Sequence, residues 1–205
     1  RITSVSNSRP QKAFIDSRIR EQDIKNLEII TSDMNAFDPG ARFDRVVSVE
    51  MIEHMRNWPH LLKRIAGWLN PGGKLFLHYF AHKEAAYTFE IEGDDDWMGR
   101  YFFTGGMMPS EDLLYYLQDH LEIESHWRVN GVHYQKTAEA WLANLDANRR
   151  QILPVMQKVY GQRNAQLWLQ RWRIFFMACS ELWGYNAGEE WVVAHYRLKK
   201  RDHVV

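Results

Sequence analysis

Glu50, Glu53 and His54 stand together at the end of an apolar run, Val46-Val47-Ser48-Val49. Histidine is the side chain most readily tuned to accept a proton near neutral pH. A carboxylate beside it can orient the ring or hold a cationic substrate. The plainer reading is the first turn of a helix, where the backbone dipole favours acids. Position gives the cluster its weight. In open α/β sheets ligands sit beyond the carboxyl ends of the strands, and residues 46–49 read as a buried strand that stops at Glu50.

Other polar groups follow the same logic. Asp33 and Met34 come just after the apolar run 27–31. An aspartate there can accept from an exocyclic amine while the methionine packs on its ring, or it can simply cap a turn. Asn7, Ser8 and Gln11 follow the first apolar run and can bind hydroxyl groups, or Ser8 can cap a helix. Trp168, Trp172, Phe175, Phe176, Cys179 and Trp183 recur at helical spacing. Such a stripe is core packing, or in part the wall of a pocket for an apolar or cationic aromatic ligand. Cys179 has no Cys/His cluster at ligand spacing, so no metal is expected. Neither a nucleophile elbow nor a phosphate loop is present.

These residues need elements to hold them. The pattern predicts a strand over 1–5 and a helix over 11–22, begun by Ser8 and Pro10, with Phe14, Ile15 and Ile19 on one face. It predicts strands over 27–31, 46–49 and 74–80 and a helix over 58–69, ended by Asn70-Pro71-Gly72-Gly73. This alternation is the mark of a parallel α/β sheet. Beyond residue 84 loops intervene, then a helix over 109–120 and a strand over 121–129. Helix is expected over 136–186, broken near Tyr160-Gly161, and a last strand over 189–198. The expected organisation is a core over 1–135, a helical lid or substrate region over 136–187, and the core's final strand over 188–205.

Composition narrows the partners. The 205 residues carry 26 basic and 26 acidic side chains, which argues against nucleic acid or an anionic membrane surface. A single cysteine excludes an internal disulfide and fits a reducing, cytoplasmic setting. No run of about 18 apolar residues exists to span a bilayer. A homodimer is compatible with all of this. Aromatic content is high, with nine tryptophans, which suits an aromatic-lined pocket as well as a core.

Several segments together resemble a known family. They are Asn7-Ser8-x-x-Gln11, Ser32-Asp33-Met34, Phe43-Asp44-Arg45-Val46 and Ser48-Val49-Glu50-Met51-Ile52-Glu53-His54-Met55. With them go Leu77-His78-Tyr79-Phe80-Ala81-His82-Lys83, Asp94-Asp95-Asp96-Trp97, Arg100-Tyr101-Phe102-Phe103-Thr104-Gly105-Gly106, Asn130-Gly131-x-His133-Tyr134 and Ser180-Glu181-Leu182. The chain resembles class I S-adenosylmethionine-dependent methyltransferases of the cyclopropane fatty acid synthase branch, most of all the coclaurine N-methyltransferase type. The resemblance implies a Rossmann-like sheet with a helical lid, S-adenosyl-L-methionine as cofactor, and a small amine or a lipid as substrate. It implies ribose contacts for Asn7, Ser8 and Gln11, adenine contacts for Asp33 and Met34, and cofactor contacts for Val49 and Glu50. Glu53 and His54 match the family's catalytic acid and histidine. His78, Tyr79, Tyr134 and Phe176 are expected at the substrate. In the cyclopropane branch, positions matching Glu53, His78 and Tyr134 hold a bicarbonate base.

The family's glycine-rich loop and first strand are not among these residues. By resemblance they precede Arg1, which leaves the sheet without a central member. The expectation is a parent protein with roughly 80 or more residues before this chain.

Overall fold

A computed structural model describes residues 1–93 and 96–201, so Asp94 and Asp95 lie outside the described residues. The chain divides into two compact units, 1–42 and 43–205.

The first unit is a strand–helix–strand. β1 (Ile2–Ser6) and β2 (Leu27–Thr31) pair in parallel, Ile2 opposite Leu27 and Ser6 opposite Thr31. The crossover helix α1 (Arg9–Glu21) starts where expected: Ser8 is its cap, its side chain accepting from the Gln11 N–H at 3.3 Å, and Pro10 lies in the first turn. The expected apolar face is only partly used, since Phe14 is exposed while Ile15 and Ile19 are half-buried. Ser8→Ala should lower stability by about 1 kcal/mol, read from chemical denaturation.

The second unit is built on a four-stranded sheet, in the order β3 (Phe43–Val49), β4 (Leu69–His82), β8 (Trp191–Lys200), β7 (Leu121–Val129). β3 and β4 run parallel. β8 lies between β4 and β7 and is antiparallel to both, so the sheet is mixed and not wholly parallel as the alternation suggested. β3 is an edge strand among the described residues. Val47 and Val49 are 65% and 54% exposed, so the apolar run is not the buried strand expected from its composition.

Alternation along β4 splits its side chains between two faces. Leu75, Leu77 and Tyr79 point into a core shared with Ala194, Tyr196 and Leu198 of β8, each fully buried. Helix α2 (Trp58–Trp68) covers that face, with Trp58 edge-on to Tyr79 at 5.2 Å. Burying this many large apolar groups is the main source of stability here.

The opposite face carries Phe76, His78 and Phe80. Near its carboxyl end lie a two-strand ribbon, β5 (Tyr87–Thr88) with β6 (Met107–Met108), and the short helix α3 (Trp97–Tyr101). The expected long helical segment is three helices, α4 (Val132–Ala147), α5 (Arg149–Tyr160) and α6 (Ala165–Gly184). A second core joins Phe80 and Met108 to Ala138 of α4 and to Cys179 and Trp183 of α6. The helix expected over 109–120 is a single 3₁₀ turn, Leu113–Tyr116. Only Leu114 is buried there, while Tyr115 and Tyr116 are 50% and 74% exposed, so no apolar stripe holds a longer helix against the sheet.

Candidate active site

At the end of β3 the chain turns sharply. Glu50 adopts φ +49°, and its N–H still donates to the His78 carbonyl at 3.0 Å, adding one bond to the ladder. A single 3₁₀ turn, Ile52–His54, follows. The Met55 carbonyl accepts from the Trp58 indole N–H at 2.9 Å, which ties this turn to the start of α2. Strand end, ladder bond and indole together fix where Glu50, Glu53 and His54 stand.

Glu53 is 1% exposed, and its carboxyl meets that of Glu50. As carboxylates neither can donate to the other. Glu50 Oε1 is buried with His78 Nε2 beside it at 3.0 Å, and both Glu53 oxygens are buried with no donor. A proton held between the two acids supplies one. Burial pushes Glu50 up to about 7, and burial followed by the charge of Glu50 pushes Glu53 up to about 8. The pair therefore shares a proton near neutral pH, and its two titrations belong to the pair. His54 keeps an exposed edge, yet packing lowers its pKa, so it is a neutral base.

An aromatic cavity of about 270 Å³ has Phe80, Phe89, Phe103, Tyr134 and Trp183 among its walls, and Tyr134 lies within reach of the charges of Glu50 and Glu53. The His54 ring lies nearly parallel to Phe103, centroids 6.4 Å apart. Gly106 packs closely under this turn, since a Cβ there would come 3.3 Å from the Glu53 carbonyl oxygen. Tyr134, stacked on Trp183 at 4.6 Å, has its hydroxyl raised by burial and then by the charge of Glu50. Cys179 also lines the cavity, and burial pushes its thiol up to about 12, so it stays a protonated wall residue. Among the described residues no cluster could hold a metal ion.

His78 enters from β4, its Nε2 3.0 Å from Glu50 Oε1. The structure thus brings Glu50, Glu53, His54, His78 and Tyr134 together. Tyr79 is not with them. Strand alternation sends it to the other face, where it is fully buried between Trp58 and Tyr196. Phe176 is also elsewhere, in an open groove among α4, α5 and α6 with Trp141 and Trp172. Val49 is at the strand end but exposed along the edge.

The first unit places its own expected residues at strand ends. Gln11 Oε1 is 2.6 Å from the Ser6 hydroxyl, and Ser8 both caps α1 and donates its N–H to Ser6 Oγ at 3.1 Å. Asn7 lies in the same exposed turn. Asp33 Oδ1 accepts from the Asn35 backbone and side-chain amides at 2.8 and 3.0 Å, so it does cap a turn, with Met34 next to it.

Sequence reasoning missed Phe89, Met108 and His195 as neighbours of the site. Phe80, Phe103, Cys179 and Trp183 were visible as motif or stripe residues without a facing.

The sequence profile of the mycolic acid cyclopropane synthetase family matches residues 1–187. The chain belongs to this family. It is 37% identical to (S)-coclaurine N-methyltransferase of Thalictrum flavum subsp. glaucum, over 98% of this chain and 57% of that one. Pavine N-methyltransferase of the same plant is 33% identical, again over 98% and 57%. A crystal structure of coclaurine N-methyltransferase, bound to N-methylheliamine and SAH, superposes with a TM-score of 0.91 at 35% identity, covering 98% of this chain and 60% of that one. The fold is thus the mixed α/β methyltransferase fold of the family, and the chain spans less than two thirds of these relatives. Among the described residues no helix is long and apolar enough to cross a membrane.

Proposed function

We propose that the protein carrying this chain is an S-adenosylmethionine-dependent N-methyltransferase of a small, alkaloid-like amine, with Glu53 and His54 as base and substrate anchor. The carrying observation is the buried Glu50/Glu53 pair with His54 beside an aromatic cavity, on a chain similar to amine methyltransferases. When bound, the cofactor supplies a methyl group on a sulfonium that leaves as a neutral thioether. Short polar groups at strand ends suit such a ligand: Asn7, Ser8 and Gln11 would hold its ribose, Asp33 and Met34 its adenine. Val49 and Glu50 would lie beside it at the end of β3. The two buried Glu53 oxygens without a donor fit a site built to receive a cation or a proton.

The chain's own contribution is positioning and proton transfer. Aromatic walls bury the amine's body and favour a cationic nitrogen near their faces. The acid pair attracts that nitrogen, and neutral His54, with Glu53 beside it, takes up the proton the amine must lose, since a protonated amine has no lone pair. Cyclopropanation of an acyl chain is the rival reading. It needs an anionic bicarbonate close to this pair, whose net negative charge opposes one.

A labelled methyl donor, given to the intact protein with primary, secondary and aromatic amines and with lipid extracts, tests the proposal. Label in an amine supports it; label confined to acyl chains overturns it. His54→Ala should lower turnover about a hundredfold. Its affinity for S-adenosylhomocysteine, measured by calorimetry, should stay within about twofold of the parent's. Equal loss of both would make His54 structural.

A further inference from the structure

His195 of β8 sits opposite His78 of β4 in the antiparallel register. Its Nε2 lies 2.9 Å from His78 Nδ1, and the ring centroids are 4.7 Å apart. The far nitrogen of His78, Nε2, is the one 3.0 Å from Glu50 Oε1. Burial holds both rings below the usual histidine range, so both are neutral, and one hydrogen between the facing nitrogens satisfies both. Which ring owns that hydrogen matters at Glu50. If His195 donates it, His78 carries its own hydrogen on Nε2, facing the carboxyl. If His78 donates from Nδ1, a lone pair faces Glu50, which only the protonated acid tolerates.

We propose that His195 is a positioning residue: it donates from Nε2 to His78 Nδ1, which leaves the His78 hydrogen on Nε2 and keeps Glu50 the charged member of the Glu50/Glu53 pair. The shared proton then rests on Glu53, next to His54, and the order of the two raised acids agrees. The groups around His195 are accounted for. His78 faces it from β4, with Glu50 beyond. Phe76 packs on its ring at 5.4 Å, and Trp127 is its register partner on β7. Along β8, Arg197 is paired with Glu124, which also binds Lys74, so those charges are engaged with one another. The tautomer assignment stands by itself; its effect on turnover rests on the amine-methylation reading above.

The test uses the intact protein with ¹⁵N-labelled histidine. Two-bond ¹H–¹⁵N spectra should show His78 protonated on Nε2. His195→Gln, whose amide can donate to Nδ1, should preserve that state. His195→Phe should release a mixture of tautomers. With a methyl-accepting amine, the rising limb of the pH–rate profile should move up by about one unit in His195→Phe and stay in place in His195→Gln, since losing the facing N–H makes Glu50 harder to ionise. His78 protonated on Nδ1 in the parent overturns the proposal. So does a tautomer or a pH limb unchanged in His195→Phe. If no amine accepts methyl while the tautomer pattern holds, the functional reading fails and the positioning role of His195 is supported.

Discussion

Glu53→Gln should lower amine methylation about a thousandfold and, at the same time, make the folded protein more stable above pH 7. Glutamine keeps the shape of the buried side chain and loses the proton that the acid pair shares beside His54. The stability gain follows from the direction of the titrations. Both acids are raised from an ordinary 4.5, Glu50 to about 7 and Glu53 to about 8. Between those limits the folded state holds more protons than the unfolded state, so stability falls as pH rises from about 4.5 to about 8. Removing the acid with the higher value removes the larger part of that decline, on the order of 3–5 kcal/mol at pH 8.5. At pH 5 the parent and the variant should differ little, because both carry a neutral group at position 53. Denaturant unfolding at pH 5 and 8.5, beside single-turnover methyl transfer, reads both effects. A variant that is less stable than its parent at pH 8.5 would contradict a strained, shared-proton pair.

The second large effect is expected from backbone crowding and not from titration. Gly131→Ala should destabilise the fold by about 3 kcal/mol or more. A Cβ at this position would run into the Trp191 carbonyl oxygen, lie 2.5 Å from the Trp183 carbonyl oxygen and 3.3 Å from Gly188 Cα. All three are backbone atoms and have no rotamer to escape into. The Gly131 N–H donates to the Gly188 carbonyl at 2.9 Å, while Asn130 binds the Val132 N–H and the Ala187 carbonyl at 2.8 and 3.0 Å. This clasp joins the start of α4 to the end of α6 and the start of β8, and Tyr134 stacks on Trp183 one turn away. Thermal and denaturant unfolding should both register the loss. In the surviving folded fraction the aromatic cavity should bind amines more weakly, because Tyr134 and Trp183 no longer share a fixed frame. An alanine variant with parental stability would mean that the clasp can open at little cost.

The two predictions divide along the line between what the residues show and what only packing shows. The strands at 27–31 and 121–129 and the helix beginning at Trp58 are legible because each is a short apolar run or stripe bounded by turn residues. The Glu50-Glu53-His54 cluster is legible through its place beyond a strand's carboxyl end, where ligands sit in open α/β sheets, although a helix start would account for the acids as well. The 3₁₀ turn at 113–116 was not, because tyrosines count as apolar in a periodicity reading yet here stand in solvent. The apolar run 46–49 by itself carries no record of how many neighbours β3 has; only the resemblance, with its missing central strand, pointed to unpaired backbone in the sheet. Tyr79 shows the limit most plainly. It adjoins His78 in every motif reading, but alternation puts the two on opposite faces of β4. His195 was invisible, since its meaning depends on a register with a strand more than a hundred residues away.

Glu50 sits in the left-handed region, a seat that favours glycine. A side chain there is held at a cost of about 1 kcal/mol, in addition to the burial of its acid. Glycine at position 50 would relax the backbone, and a neutral residue at 53 would relax the electrostatics. Both changes would look like improvements to any selection for robustness alone. A library of this protein screened only for survival of heating should therefore enrich substitutions at 50 and 53 and yield inert proteins. The map of its most stabilising mutations would double as a map of where the chemistry is done.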